Sequence, residues 1–175
     1  MANIAGKDVG TNDLGVLVGG ALLFIFSFFH WFGGKVCVTT LGHKECGDVG
    51  GSGFSGWHSG FFAWFGIVLG LAAMAIVALR IFASVTLPEM PVSQGFLVLA
   101  LAALAALLIL LRLLLGYSKS EFGVSASISR SFGLYVGFIA VAAEAAFAFL
   151  AFQASGESWP WAKGGSTPPA APPAA

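Results

Sequence analysis

The chain has 175 residues, of which 58% are hydrophobic and only 9% charged, with eight basic and eight acidic side chains that cancel. A soluble domain carries roughly 25% charged residues, so this deficit and a mean hydropathy of +0.91 argue against a water-exposed globule. No basic cluster offers a face to nucleic acid, and no polybasic run flanks an apolar segment to recruit anionic lipid.

Residues 1–13 read as a short polar N-terminal tail. Lys7 is offset by Asp8 and Asp13, so the first apolar run lacks the basic start of a cleavable signal peptide and reads as a retained first span. Apolar stretches cover 14–32, 61–79, 95–115 and 132–152. At ~1.5 Å rise per residue, ~20 residues cross the ~30 Å hydrocarbon core. The expected fold is therefore all-α: a four-helix transmembrane bundle over 14–153, with a small extracytoplasmic β-hairpin or sheet from the loops after spans 1 and 3.

Span 1 ends in Phe28, Phe29, Trp31 and Phe32, and span 2 opens with Trp57, Phe61, Phe62, Trp64 and Phe65. Aromatic rings favour the headgroup level, so Trp31, Trp57 and Trp64 are expected at one membrane interface. The outer loop between them, 33–60, begins with the β-branched run Lys35-Val36-Cys37-Val38-Thr39-Thr40, suited to a strand. Gly42 and His43 are expected to turn the chain, Lys44-Glu45-Cys46 to return it, and 48–60 to be irregular.

Span 2 leads past Arg80 to Pro88 and Pro91, before which the helix must stop. Ser93 is placed to cap span 3. In the next loop Val124-Ser125-Ala126-Ser127-Ile128-Ser129 alternates as a half-buried strand does. The tail, 154–175, ends in Gly, Pro and Ala and is expected to be disordered.

Cys37 and Cys46 are the only cysteines and share one loop. A disulfide there would contribute ~2.5–3 kcal/mol in the chain-entropy model and is the preferred reading. Free thiols are the next. A metal site with His43 and either His30 or His58 comes last, because the paired C-x2-C spacing of zinc sites is missing.

Glu144 stands near the middle of span 4. A mid-membrane acid costs ~2.5–3.5 kcal/mol to insert, so it must face the bundle interior and find a partner. A neutral carboxyl hydrogen-bonded between helices is preferred over a proton or cation relay. Arg112, about one turn from the end of span 3, is expected to snorkel to the interface and to stand some two turns from the level of Glu144. The pairs Gly15/Gly19, Gly66/Gly70 and Gly133/Gly137, with Ala102/Ala106, let helices approach closely and read as packing within the chain first, as an oligomer face second. His58-Ser59 sits in no nucleophile elbow, and neither a P-loop nor a dinucleotide glycine pattern occurs; an enzyme is not expected, nor a cofactor or metal.

Termini inside would leave Lys7, Arg80 and Lys163 on the cytoplasmic side and Lys35, Lys44, Arg112, Lys119 and Arg130 with the outer loops and adjoining span ends, against the usual inward bias of basic residues. Other arguments run the opposite way. A disulfide requires an oxidising compartment, and with the long outer loop this favours both termini in the cytoplasm and a plasma-membrane location. The segments Ser27-Phe28-Phe29-His30-Trp31, 56–65 (GWHSGFFAWF) and Ser131-Phe132-Gly133-Leu134-Tyr135-Val136-Gly137 resemble a family of small four-span membrane proteins of actinobacteria without an assigned activity. Trp31, Cys37 and Cys46 give a weaker resemblance to claudin-type tetraspans, which implies a loop-borne sheet above four helices; the Gly-Leu-Trp before the first Cys is missing, since Gly34-Lys35-Val36 stands there. The expected function is a non-enzymatic structural or accessory subunit, contacting lipid and either a membrane-protein partner or further copies of itself. The alternative is a small proton- or cation-coupled transporter using Glu144, and a membrane-embedded enzyme using His58 or His30 ranks last.

Overall fold

The computed structural model describes residues 2–4, 7–40, 43–48, 54–83, 93–115, 118–121, 124–157 and 159, with backbone alone over 2–4, 7–8, 35–40, 43–48, 118–121 and 124–129. Four helices, α1 (Thr11–Ser27), α2 (Phe61–Ala78), α3 (Gln94–Leu115) and α4 (Phe132–Ser155), pack as a ring in which each touches its two neighbours in sequence and α4 closes on α1. Residues 79–83 continue α2 as a π-helical turn. Alternating chain direction gives the up-down-up-down bundle that short connections favour. One end carries the start of α1 and the finish of α4; the other carries the loops after α1 and α3.

Three helical segments, Phe61–Ala83, Gln94–Leu115 and Phe132–Ser155, are long and apolar enough to cross a membrane, and α1 is a shorter apolar helix. The burial pattern fits a lipid solvent. Large apolar side chains such as Ile25, Leu107, Ile139 and Leu150 point outward, whereas the interior holds Ala63, Ala73, Ala102, Ala105 and Ala148. Glycines 19, 20, 66, 70, 133 and 137 are buried with them. Larger apolar residues such as Leu23, Ile67, Ile109 and Leu134 share that interior, and the small residues among them let backbones approach where lipid supplies no drive between helices.

The first span departs from its expected bounds. Helix α1 starts at Thr11 and stops at Ser27, and residues 30–32 open strand β3 (His30–Thr40). Trp31 and Phe32 end the helix because they turn into the bundle, where they are 0% and 1% exposed. Upstream, the polar tail contains an antiparallel pair, β1 (Ala2–Ile4) with β2 (Lys7–Val9).

The loop strands form one sheet, in the order β4-β3-β7-β6, where β4 is His43–Asp48, β6 Ser118–Glu121 and β7 Val124–Arg130; β5 (Phe54–Ser55) also pairs with β3. The hairpin and the cross-loop sheet expected from the β-branched and alternating runs are thus both present. Residues 54–58, expected to be irregular, form β5 and a 3-10 turn, Gly56–His58. Helix α4 ends at Gly156, whose φ of 67° is a left-handed C-cap. Ser93 precedes α3, but its hydroxyl is buried without a hydrogen-bond partner among the described residues, so it does not act as the expected side-chain cap. The proline break at 88–91, the hairpin tip and the low-complexity tail lie outside the described residues.

Candidate functional site

At mid-depth the bundle closes around Glu144. The residue is completely buried, and neither carboxylate oxygen has a hydrogen-bond partner among the described residues. Glycines make room for it on two sides. A Cβ added at Gly19 of α1 would lie 2.8 Å from the Glu144 Cβ, and one at Gly70 of α2 would lie 3.3 Å from Oε2. The sequence placed Glu144 in the interior correctly. The hydrogen bond expected to compensate it is missing, because Leu23 and Val141 also crowd the position at Gly70 and neither carries a polar side-chain atom.

A cavity of about 440 Å³ approaches this carboxyl from the end where α1 starts and α4 finishes. Residues of all four helices line it. Asp13, Arg80 and Ser155 stand at its outer part, and Val16, Val77 and Ala148 lie deeper. Arg80, on the π turn, is 4.0 Å from Asp13. Position 148 follows Glu144 by four residues on one helix face, so the cavity's deepest α4 residue lies about 6 Å along the axis from it.

The opposite end is closed by bulk. Trp31 donates its indole N–H to the Phe26 carbonyl at 2.9 Å, and its ring lies against Gly56, Gly133 and Gly137. Trp31 is therefore a core residue and not an interface aromatic: a ring whose N–H has a backbone partner gains more from burial than from the headgroup level. Trp57 is half-buried and donates to the Ser27 hydroxyl at 2.9 Å, and Trp64 is 40% exposed. Arg112 is half-buried, with its guanidinium 4.7 Å from the Phe32 ring centre. Instead of snorkelling fully outward it stacks on an aromatic face, a favourable placement for a cation. It stands with Phe54, His58 and Ser59 around a cavity of about 30 Å³. There the Ser59 hydroxyl donates to the Ser55 carbonyl at 2.6 Å, and His58 Nδ1 is 3.1 Å from the Ser55 hydroxyl. His30 is exposed.

The small-residue pairs do their packing inside this chain. Gly66 faces Ile109 and the Ala105 carbonyl of α3, Gly70 faces α1 and α4, and Gly133 faces the His30 carbonyl. Gly15, only half-buried, faces Phe147. Sequence spacing missed Gly20, which packs on Met74 and has no partner glycine four residues away. Cys37 and Cys46 are direct partners in the β3–β4 register. Among the described residues no group of three His, Cys, Asp or Glu is arranged to hold a metal ion.

No family model matches the chain, and no curated protein matches it either.

Proposed function

We propose that this chain is a small multi-pass membrane protein that binds and releases a proton at Glu144, as a proton-coupled element of a membrane process. The observation that carries the reading is the complete burial of both carboxylate oxygens without a partner among the described residues, at the level where Gly19 and Gly70 give way to the side chain. An unpaired buried polar group costs ~1–3 kcal/mol, a cost with no structural return here. Intramembrane acids of this kind mark proton relays. A metal cation fits less well, since hard cations take about six oxygens and the neighbours at Gly70 offer none besides Glu144. The reading involves no reaction on a substrate and no cofactor. It places the protein in the plasma membrane with both termini cytoplasmic and the sheet outside, where Cys37 and Cys46 would form a disulfide.

Purified protein in proteoliposomes tests it. The wild type should relax an imposed pH gradient, and Glu144→Gln should abolish the effect while leaving the fold intact. Equal relaxation by both, or none by either, would reject the reading.

A second role is favoured by the sheet, whose outer strands β4 and β6 have one unpaired edge each within it. Such edges invite strand pairing, which suits an accessory subunit of a membrane assembly or a homo-oligomer, in keeping with the resemblance to small four-span proteins. Purification in mild detergent should recover partners or an oligomer; a clean monomer would count against it.

A further inference from the structure

A proton that binds at Glu144 needs a route to it. Resting on Glu144 as the proton site, we propose that in this conformation it exchanges its proton with the side of the chain termini, through the 440 Å³ cavity and across an apolar septum that includes Val16, Val77 and Ala148, and that passage of a proton to the sheet side takes a second conformation.

The bundle is asymmetric about its carboxyl. Towards the termini, Ala148 lines the cavity and stands one helical turn, about 6 Å, from Glu144. Towards the sheet, α4 runs twelve residues further to Phe132, about 18 Å, and that length is packed with Leu23, Trp31, Ile67, Ile109 and Leu134, each at 0% exposure. A cavity of 440 Å³ with polar walls at its mouth has room for on the order of ten waters at ~30 Å³ each. The septum, by contrast, is built of small and medium apolar side chains: Val16, Ala73, Val77 and Ala148 belong to a single buried cluster. Loss of the two Val77 methyl groups thins a dry barrier, whereas the sheet side would need several large side chains to move together.

The surrounding charges fit an entrance at that end. Among the described residues, the titratable and charged groups on the elements packed against Glu144 are few. Asp13 of α1 and Arg80 of the π turn form the ion pair at the cavity mouth. Glu157, just past α4, stands against Gly95 at the same end. Arg112 of α3 lies at the other end, over Phe32. Among the described residues no charged side chain lies between the septum and Glu144, so the carboxyl is the first proton acceptor past the mouth. The π turn is a segment type often found at functional sites, and here it carries Arg80.

Infrared spectra of reconstituted protein, recorded after a jump into deuterated water, test the path. The carboxyl band that disappears in Glu144→Gln reports Glu144, and its shift reports exchange. Val77→Ala should accelerate exchange about tenfold and Ala148→Leu should slow it about tenfold, each a barrier change readable in rate. Leu134→Val, on the sheet side, should leave the rate unchanged. A Glu144 band whose exchange is indifferent to Val77 and Ala148 overturns the path but not the proton site; absence of any exchangeable Glu144 band overturns the proton site itself. If a septum variant fails to fold, Ala151→Cys, at a position lining the cavity, gives an independent readout. A water-soluble thiol reagent, mapped by peptide mass spectrometry, should modify it from the terminal side only. No modification, or equal modification from both sides, overturns the proposal.

Discussion

Gly70 stands against the carboxyl of Glu144, so closely that a Cβ at Gly70 would come within 3.3 Å of Oε2 and 2.6 Å of Leu23 Cδ2. Glu144 is thus fitted to its space without being paired there by any described residue. A residue retained for stability should be missed when removed; one retained for function should not. Glu144→Met keeps the volume and removes the unsatisfied oxygens, which should raise stability by ~1–3 kcal/mol. Thermal unfolding in detergent reads the outcome. A lower Tm would make the carboxyl a structural element and remove the argument for a proton site.

The contact between Gly19 and Glu144 predicts a contrast between two glycines of the same chain segment. A Cβ at Gly19 would meet the Glu144 Cβ at 2.8 Å, its Cα at 3.0 Å and the Ala140 carbonyl at 3.1 Å. Backbone atoms yield little, so Gly19→Ala must push α1 from α4 and should cost ~1–3 kcal/mol. At Gly10 the nearest atom is an Asp13 oxygen at 3.5 Å, an ordinary contact, and Gly10→Ala should leave the unfolding midpoint unchanged. Equal effects at both positions would mean that the α1–α4 seam is looser than these distances imply.

Much of this architecture was legible because it follows from two local signals, the length of apolar runs and the alternation of strand residues. Leu- and Ala-rich runs of bilayer length gave α2, α3 and α4 nearly to their ends, and strict alternation over 124–129 gave β7. The end of α1 was not legible, because Phe28, Phe29, Trp31 and Phe32 extend the apolar run past the helix with only His30 to interrupt it. What decides it is tertiary: Trp31 finds a glycine-floored slot between Gly56, Gly133 and Gly137, brought together from two distant segments. The same limit governs Glu144. Sequence showed an acid at mid-depth and physical reasoning required a partner, yet the neighbours are set by which faces of α1 and α2 turn inward. The cavity leaves no local mark at all, since its walls come from four helices.

The ion pair at the cavity mouth should contribute little to stability. Arg80 and Asp13 approach only to 4.0 Å, with the arginine side chain 52% exposed, and exposed pairs are worth ~0–1 kcal/mol. Asp13→Asn should therefore leave thermal unfolding essentially unchanged, at low and at high salt. A marked loss of stability, especially one reversed by Asp13→Glu, would show that the pair holds the π turn to α1.

At the other end, Ser27 links α1 to the 3-10 turn. Its hydroxyl donates to the Phe24 carbonyl at 2.6 Å and accepts from the Trp57 indole at 2.9 Å, and Ser27 is completely buried. Ser27→Ala leaves the half-buried indole N–H without its acceptor and should cost ~1–2 kcal/mol. Trp57→Phe removes the donor itself, so adding Ser27→Ala to that variant should cost less than it does in the wild type. A double-mutant cycle measures this coupling, and strict additivity would deny that the hydrogen bond matters to the fold.

The register of β3 and β4 makes the redox state of the hairpin testable. Cys37 and Cys46 are direct partners, and residues opposite each other in an antiparallel pair have Cα atoms ~4.5–5.5 Å apart. That spacing falls within the ~4.4–6.8 Å that a disulfide spans. A bridge there adds covalent support to an edge hairpin, where one slip of register would turn every side chain to the other face. In protein isolated from its native membrane, alkylation under denaturing conditions should label neither cysteine until reductant is added. Reduction should then speed amide exchange over 35–48 while leaving α2, α3 and α4 protected. Full labelling without reductant would show free thiols and, because a disulfide needs an oxidising compartment, would remove the strongest reason for placing the sheet outside the cell.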